Sequence, residues 1–118
     1  MVLLWEAYSS LFSKKKKQKQ KTIQMNPEQL IKEKKGTLLD VRTKEEFMAG
    51  NVEGSINIPL QEIQQRMDEI KKLNQPLVLF CQSGGRSGQA MQFLLQLGIQ
   101  CCNAGAWMDV KHIQSLYK

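Results

Sequence analysis

Of the three cysteines in the chain, Cys81 stands where chemistry is easiest to build. It closes the apolar run Leu77-Val78-Leu79-Phe80 and opens the turn Gln82-Ser83-Gly84-Gly85-Arg86-Ser87-Gly88, after which a helical pattern begins. Gly84, Gly85 and Gly88 accept backbone angles closed to larger residues, so the chain there can curl with successive N–H groups turned inward as an anion-binding nest. The start of the following helix adds unpaired amides and the positive end of its dipole. A thiol in such a setting ionises below the ordinary cysteine pKa of about 8.5, and the thiolate is the nucleophilic form. The pattern points to a reactive Cys81, against the plainer reading of a buried structural thiol beside a nest. With His112 as the single histidine, activation by amides fits better than a cysteine–histidine pair.

The other residues with chemical potential read as structure. Cys101 and Cys102 are adjacent, a spacing that strains a mutual disulfide and lacks the CxxC unit of a metal site, so packing comes first and sulfur exchange with Cys81 second. His112 reads as a surface or packed side chain and Met67 as part of an apolar stripe. One histidine offers no imidazole cluster, and neither a metal nor a bound cofactor is expected. The net charge of +6 is concentrated at the start: residues 1–21 hold Lys14, Lys15, Lys16, Lys17, Lys19 and Lys21 against Glu6, and residues 22–118 are close to neutral. That distribution argues against a specific nucleic-acid interface, which needs a scaffold presenting side chains to base edges.

The elements that must position Cys81 follow from the pattern of apolar residues. At 118 residues with 42% hydrophobic content, one domain with one small core is expected. Residues 1–21 read as a basic tail, flexible or amphipathic, with too few apolar residues to span a bilayer and no secretory pattern. A weak contact with a membrane surface is the most it offers, which places the chain in the cytoplasm, at most peripheral to the inner face of the membrane. Residues 22–118 form the domain. Strands are predicted at Ile23 and Met25, at Thr37–Asp40, at Asn57–Pro59, at Leu77–Phe80 in a central place, and at Ile99–Cys102. Helices are predicted from Pro27 to Gly36, across Glu45–Phe47 up to Gly50, along the Leu60, Ile63, Met67 and Ile70 stripe, from the glycine turn to Gly98, and within residues 106–118. This alternation is that of an α/β domain with a mostly parallel sheet flanked by helices.

Several segments in order, Leu39-Asp40-Val41-Arg42, Glu45-Glu46-Phe47, Gly50, Val52–Pro59, the Cys81–Gly88 loop and Asn103-Ala104-Gly105-Ala106-Trp107, resemble the single-domain rhodanese family over residues 24–112. The resemblance implies a rhodanese-like fold and a thiosulfate-type sulfurtransferase. Cys81 would take a sulfane sulfur from a small anionic donor, form a transient persulfide, and pass the sulfur to cyanide, a thiol or a protein acceptor. Gln82, Ser83, Gly84, Gly85 and Arg86 match the cradle, with Arg86 attracting the donor and fixing the loop. Asp40, Arg42, Glu46, Ser87, Gly88 and Trp107 would support it, Glu46 by reaching Arg42 and Trp107 by closing the core beside the pocket. Related phosphatases place five residues between cysteine and arginine, whereas four stand here, which suits sulfur better than phosphate. Asn51 replaces the histidine of many relatives and weakens any proton-transfer role there. The alternative reading is a weakly catalytic or non-catalytic persulfide carrier or protein-interaction module.

Overall fold

A computed structural model describes residues 25–118, so Ile23 and the tail 1–21 lie outside the described residues. Met25 is in irregular structure rather than in the expected strand. The elements run α1 (Pro27–Glu33), β1 (Thr37–Asp40), α2 (Lys44–Ala49), β2 (Ile56–Asn57), a 3-10 turn (Leu60–Glu62), α3 (Met67–Lys71), β3 (Leu77–Cys81), α4 (Gly85–Gln96), β4 (Cys101–Ala106) and α5 (Trp107–Leu116). Among the described residues the strands form one sheet in the order β2-β1-β3-β4, every pair parallel. β3 is therefore an inner strand, and all five of its residues are buried.

Parallel strands joined by helical crossovers are covered on both faces, and the alternation along β3 divides the core accordingly. Leu77, Leu79 and Cys81 face one layer with Ile63, just after the 3-10 turn, and with Ile70, Ala90 and Leu94 from α3 and α4. Val78 and Phe80 face the other with Leu30, Ile31 and Val110 from α1 and α5. Among the described residues no helix is long and apolar enough to cross a membrane.

Local chemistry explains the element ends. Asn26 caps α1 by accepting from the amides of Glu28 and Gln29, and Pro27 occupies its first turn. That helix ends at Glu33, before the expected Gly36, because Lys34 takes the left-handed conformation and its amide returns to Ile31 and Leu30. Gly36 serves a close approach instead: a Cβ there would sit 1.9 Å from the Pro76 carbonyl oxygen. Thr43 and Glu46 form a reciprocal capping box at the start of α2.

Two boundaries differ from the sequence reading. The Leu60–Ile70 stripe is not one helix but a 3-10 turn followed by α3, while Ile63 and Ile70 still reach the core. β4 begins at Cys101 rather than Ile99, since the Ile99 amide closes the end of α4 on Leu94 and the Gln100 amide is taken by the Gln75 side chain. It continues through Asn103-Ala104-Gly105 to Ala106 along the open edge of β3, with a register shift after Leu79↔Asn103. That shift is a bulge at Ala104; Asn103, two residues after Cys101, precedes it and lies on the α4 side of the sheet by ordinary alternation.

Candidate active site

Cys81 is the last residue of β3, at the carboxyl end of the parallel sheet, and α4 begins four residues later. Gly84 precedes α4 in the left-handed conformation with φ 103° and has no side chain to cap the helix. The sulfur takes that place. The Gly84 amide donates to Cys81 Sγ at 3.0 Å, and Ser87 Oγ lies 3.4 Å from it. Burial acts to raise the Cys81 pKa, but the Ser87 hydroxyl and the amides of Ser87, Ser83 and Gly84 outweigh it and bring the thiol down to about 7. A substantial share of the sulfur is then thiolate near neutral pH, the form that attacks electrophilic sulfur. The residue is 1% exposed, so a reagent must reach the sulfur through the loop rather than across open surface.

Close approach bears on Gly84, while the space at Gly88 and Gly85 would admit a Cβ. A Cβ on Gly84 would meet the Gly105 Cα at 3.3 Å, and one on Gly88 would meet Asn103 Nδ2 at 3.4 Å. Gly85 has open space around it, and the side chains of Gln82 and Ser83 are exposed at the rim. Ser87 is buried in the first turn of α4.

Arg86 is held by Glu46 of α2 through two parallel bonds, Nη1 to Oε1 at 2.7 Å and Nη2 to Oε2 at 3.0 Å. The Arg86 bonds, followed by the Thr43 amide, hold the Glu46 carboxyl down at about 2. This corrects the expected Glu46–Arg42 contact, because the capping box aims the Glu46 side chain toward the Cys81 loop. The pair matches the Arg86 charge with a carboxylate and ties the loop to α2.

Arg42 belongs to a separate network. It is 2% exposed, and its guanidinium donates from Nε and Nη2 to Asp40 and from Nη2 to the Gly50 carbonyl at 2.7 Å. The Asn57 side-chain amide donates to the carbonyls of Asp40 and Arg42. Trp107 lies over the guanidinium, with Arg42 Cζ 4.3 Å from the ring centroid, and its ring fills the space a Cβ on Gly50 would need. Arg42 thus fixes the end of β1 against α2 and α5. Asn51 is exposed and donates to the Phe47 carbonyl.

Cys101 and Cys102 are buried and free, with thiols pushed up by burial to about 12 and about 11. Cys101 pairs with Leu77, four residues before Cys81 on β3, a separation of roughly 13 Å at the usual rise per residue. Cys102 faces the opposite layer of the core. Direct sulfur exchange between either thiol and Cys81 is therefore overturned by geometry. Among the described residues no three His, Cys, Asp or Glu side chains converge as a metal site would need. A cleft of about 590 Å³ beside Ile31, Thr37 and Tyr117 holds none of the residues around Cys81.

One residue of the site is invisible to the loop pattern. Asn103 Oδ1 accepts from Ser87 Oγ at 2.7 Å and from the Gly105 amide at 2.9 Å, while Nδ2 donates to the Gly84 carbonyl at 3.1 Å. The available signal is a polar side chain between Cys102 and Ala104 on a strand that is otherwise small and apolar.

Comparison with known proteins bears on the family and the fold. The family model described as a rhodanese-like domain matches residues 26–112. An uncharacterized protein of Bacillus subtilis is 43% identical over 65 residues, which cover 55% of this chain and 51% of that protein; the chain thus matches about half the length of this relative. A thiosulfate sulfurtransferase of Escherichia coli is 35% identical over 74 residues, covering 61% of this chain and 71% of its own length. Among solved structures, a rhodanese with anions from E. coli superposes with a TM-score of 0.56 at 35% identity, covering 62% of this chain and 88% of that one. A human single-domain sulfurtransferase superposes with a TM-score of 0.53 at 30% identity, covering 76% and 88%.

Proposed function

The chain belongs to the rhodanese-like domain family, and from that membership together with the surroundings of Cys81 we propose that it is a sulfurtransferase working through a Cys81 persulfide. The observation that carries the proposal is the sulfur at the head of α4, met by the Gly84 amide at 3.0 Å and brought to a pKa of about 7. In the first half-reaction the Cys81 thiolate attacks the outer sulfur of thiosulfate. A sulfur–sulfur bond forms at Cys81, the bond to the sulfonate sulfur breaks, and sulfite leaves with that electron pair. In the second, cyanide or a thiolate attacks the outer sulfur of the persulfide, and Cys81 leaves as the thiolate, restoring the starting state. Covalent catalysis divides the transfer into two displacements, and amides aimed at the sulfur stabilise negative charge in both.

Gln82, Ser83, Gly84 and Gly85 line the approach as the cradle, with Arg86, Ser87 and Gly88 holding its shape. Arg86 serves through Glu46, and attraction of the anionic donor falls chiefly to the amides. Asp40, Arg42 and Trp107 brace the end of β1, the strand beside β3, rather than touching the loop. No resident metal or cofactor has a part in this scheme.

The test is direct. Reduced protein is incubated with thiosulfate and the Cys81 peptide is weighed, then cyanide or a small thiol is added. The expected result is a gain of one sulfur atom on that peptide, lost on addition of acceptor, and absent in Cys81→Ser. A Cys81→Ser protein that still transfers sulfur at the original rate refutes the mechanism.

A further inference from the structure

Ser87 is 0% exposed, and its hydroxyl has two acceptors within reach, Asn103 Oδ1 at 2.7 Å and Cys81 Sγ at 3.4 Å. A hydroxyl carries a single hydrogen, so it serves one of them at a time. We propose that Asn103 is a positioning residue of the Cys81 centre, acting through the Ser87 hydroxyl as a two-position hydrogen-bond switch that keeps the hydroxyl hydrogen from the sulfur until the sulfur ionises.

With Cys81 protonated, the thiol donates to Ser87 Oγ and the Ser87 hydroxyl donates to Asn103 Oδ1, so all three groups are satisfied. On ionisation the thiol proton passes to solvent base, and the Ser87 O–H turns from Asn103 to the sulfur without breaking. Asn103 Oδ1 keeps the Gly105 amide, and Nδ2 keeps the Gly84 carbonyl, so the loop holds its shape through the turn. Each contact is within hydrogen-bond reach for its acceptor, oxygen or the larger sulfur, so Asn103 competes with the sulfur for the one hydrogen and thereby opposes ionisation while Ser87 supports it. The charged groups around Cys81 are already matched: Arg86 of α4 with Glu46 of α2, and Asp40 with Arg42 at the end of β1. From β4 the side chain presented is the uncharged Asn103, which makes this pair the adjustable part of the site. The inference rests on the sulfur-transfer reading for its purpose, since Cys81 acts there first as an attacking and then as a leaving thiolate.

The experiment measures the rate at which iodoacetamide alkylates Cys81, by peptide mass, against pH. The full chain is compared with Asn103→Ala, Ser87→Ala and the double variant. Loss of the Gly84 and Gly105 contacts acts alike in both Ser87 backgrounds, whereas release of the hydroxyl acts only where Ser87 is present. The expected result is that Asn103→Ala places the inflection lower with Ser87 present, by about half a pH unit relative to the same substitution made on Ser87→Ala, roughly threefold in thiolate fraction. Equal shifts in the two backgrounds, or a relative shift upward with Ser87 present, overturn the inference. If Asn103→Ala does not fold, Asn103→Asp decides. Its carboxylate should hold the hydroxyl hydrogen harder and raise the inflection more with Ser87 than without, and equal rises overturn the inference. Alkylation needs no sulfur donor, so a chain that fails to take sulfur from thiosulfate refutes the transfer reading while leaving the switch to be judged by its own result.

Discussion

At the scale of single residues, the balance at Cys81 is between burial, which disfavours the thiolate, and a set of donors that favours it more strongly. The folded pKa of about 7 lies below that of an ordinary thiol, so reactivity gains as pH rises through 7 and is lost below it. The alkylation rate of Cys81 should fall about tenfold per pH unit below the inflection and level off above it. Ser87→Ala should move the inflection upward, because it removes the foremost of the lowering influences. Cys81 was legible in the sequence because strand, turn and helix start lie within a dozen consecutive residues. The partner of Arg86 was not legible, since Glu46 lies forty residues away and no local periodicity joins them. Asn103 was hidden for the same reason: its contacts depend on where β4 runs beside α4.

At the scale of elements, the site is held by two pairs with different energetic characters. Asp40 and Arg42 are buried, so removing one partner leaves an uncompensated charge in the core. Asp40→Ala should cost about 3–5 kcal/mol in urea unfolding, as truncation of a buried pair does. The Glu46–Arg86 pair is about one-third exposed on each side, and solvent screening limits its worth. Glu46→Ala should cost only about 1 kcal/mol in the same measurement, yet it should slow persulfide formation several-fold by freeing the loop from α2. Helices and inner strands were legible because apolar spacing states them directly. β4 was less so, because Asn103-Ala104-Gly105 has the composition of a loop and becomes strand only by bonding to the open edge of β3. The stripe from Leu60 to Ile70 gave the right buried face but not the break within it, since periodicity reports which residues point inward and not whether the backbone is continuous.

At the scale of the whole molecule, the three thiols differ in environment more than in exposure, as all are buried. Cys101 and Cys102, with pKa values of about 12 and about 11, stay protonated near neutral pH. Iodoacetamide at pH 7.5 should therefore label Cys81 alone in the folded protein and all three cysteines in urea, which peptide mass would read. Labelling of Cys101 or Cys102 at a comparable rate in the folded state would contradict this arrangement. The 1% exposure of Cys81 has one more consequence, which concerns the size of what can reach it. In the proposed scheme a sulfur carried on Cys81 is open to small molecules that pass the loop beside Gln82 and Ser83 and closed to bulky ones. Cyanide should therefore discharge the loaded protein faster than a bulky thiol of equal nucleophilicity, read as loss of the added mass, and equal rates would contradict this.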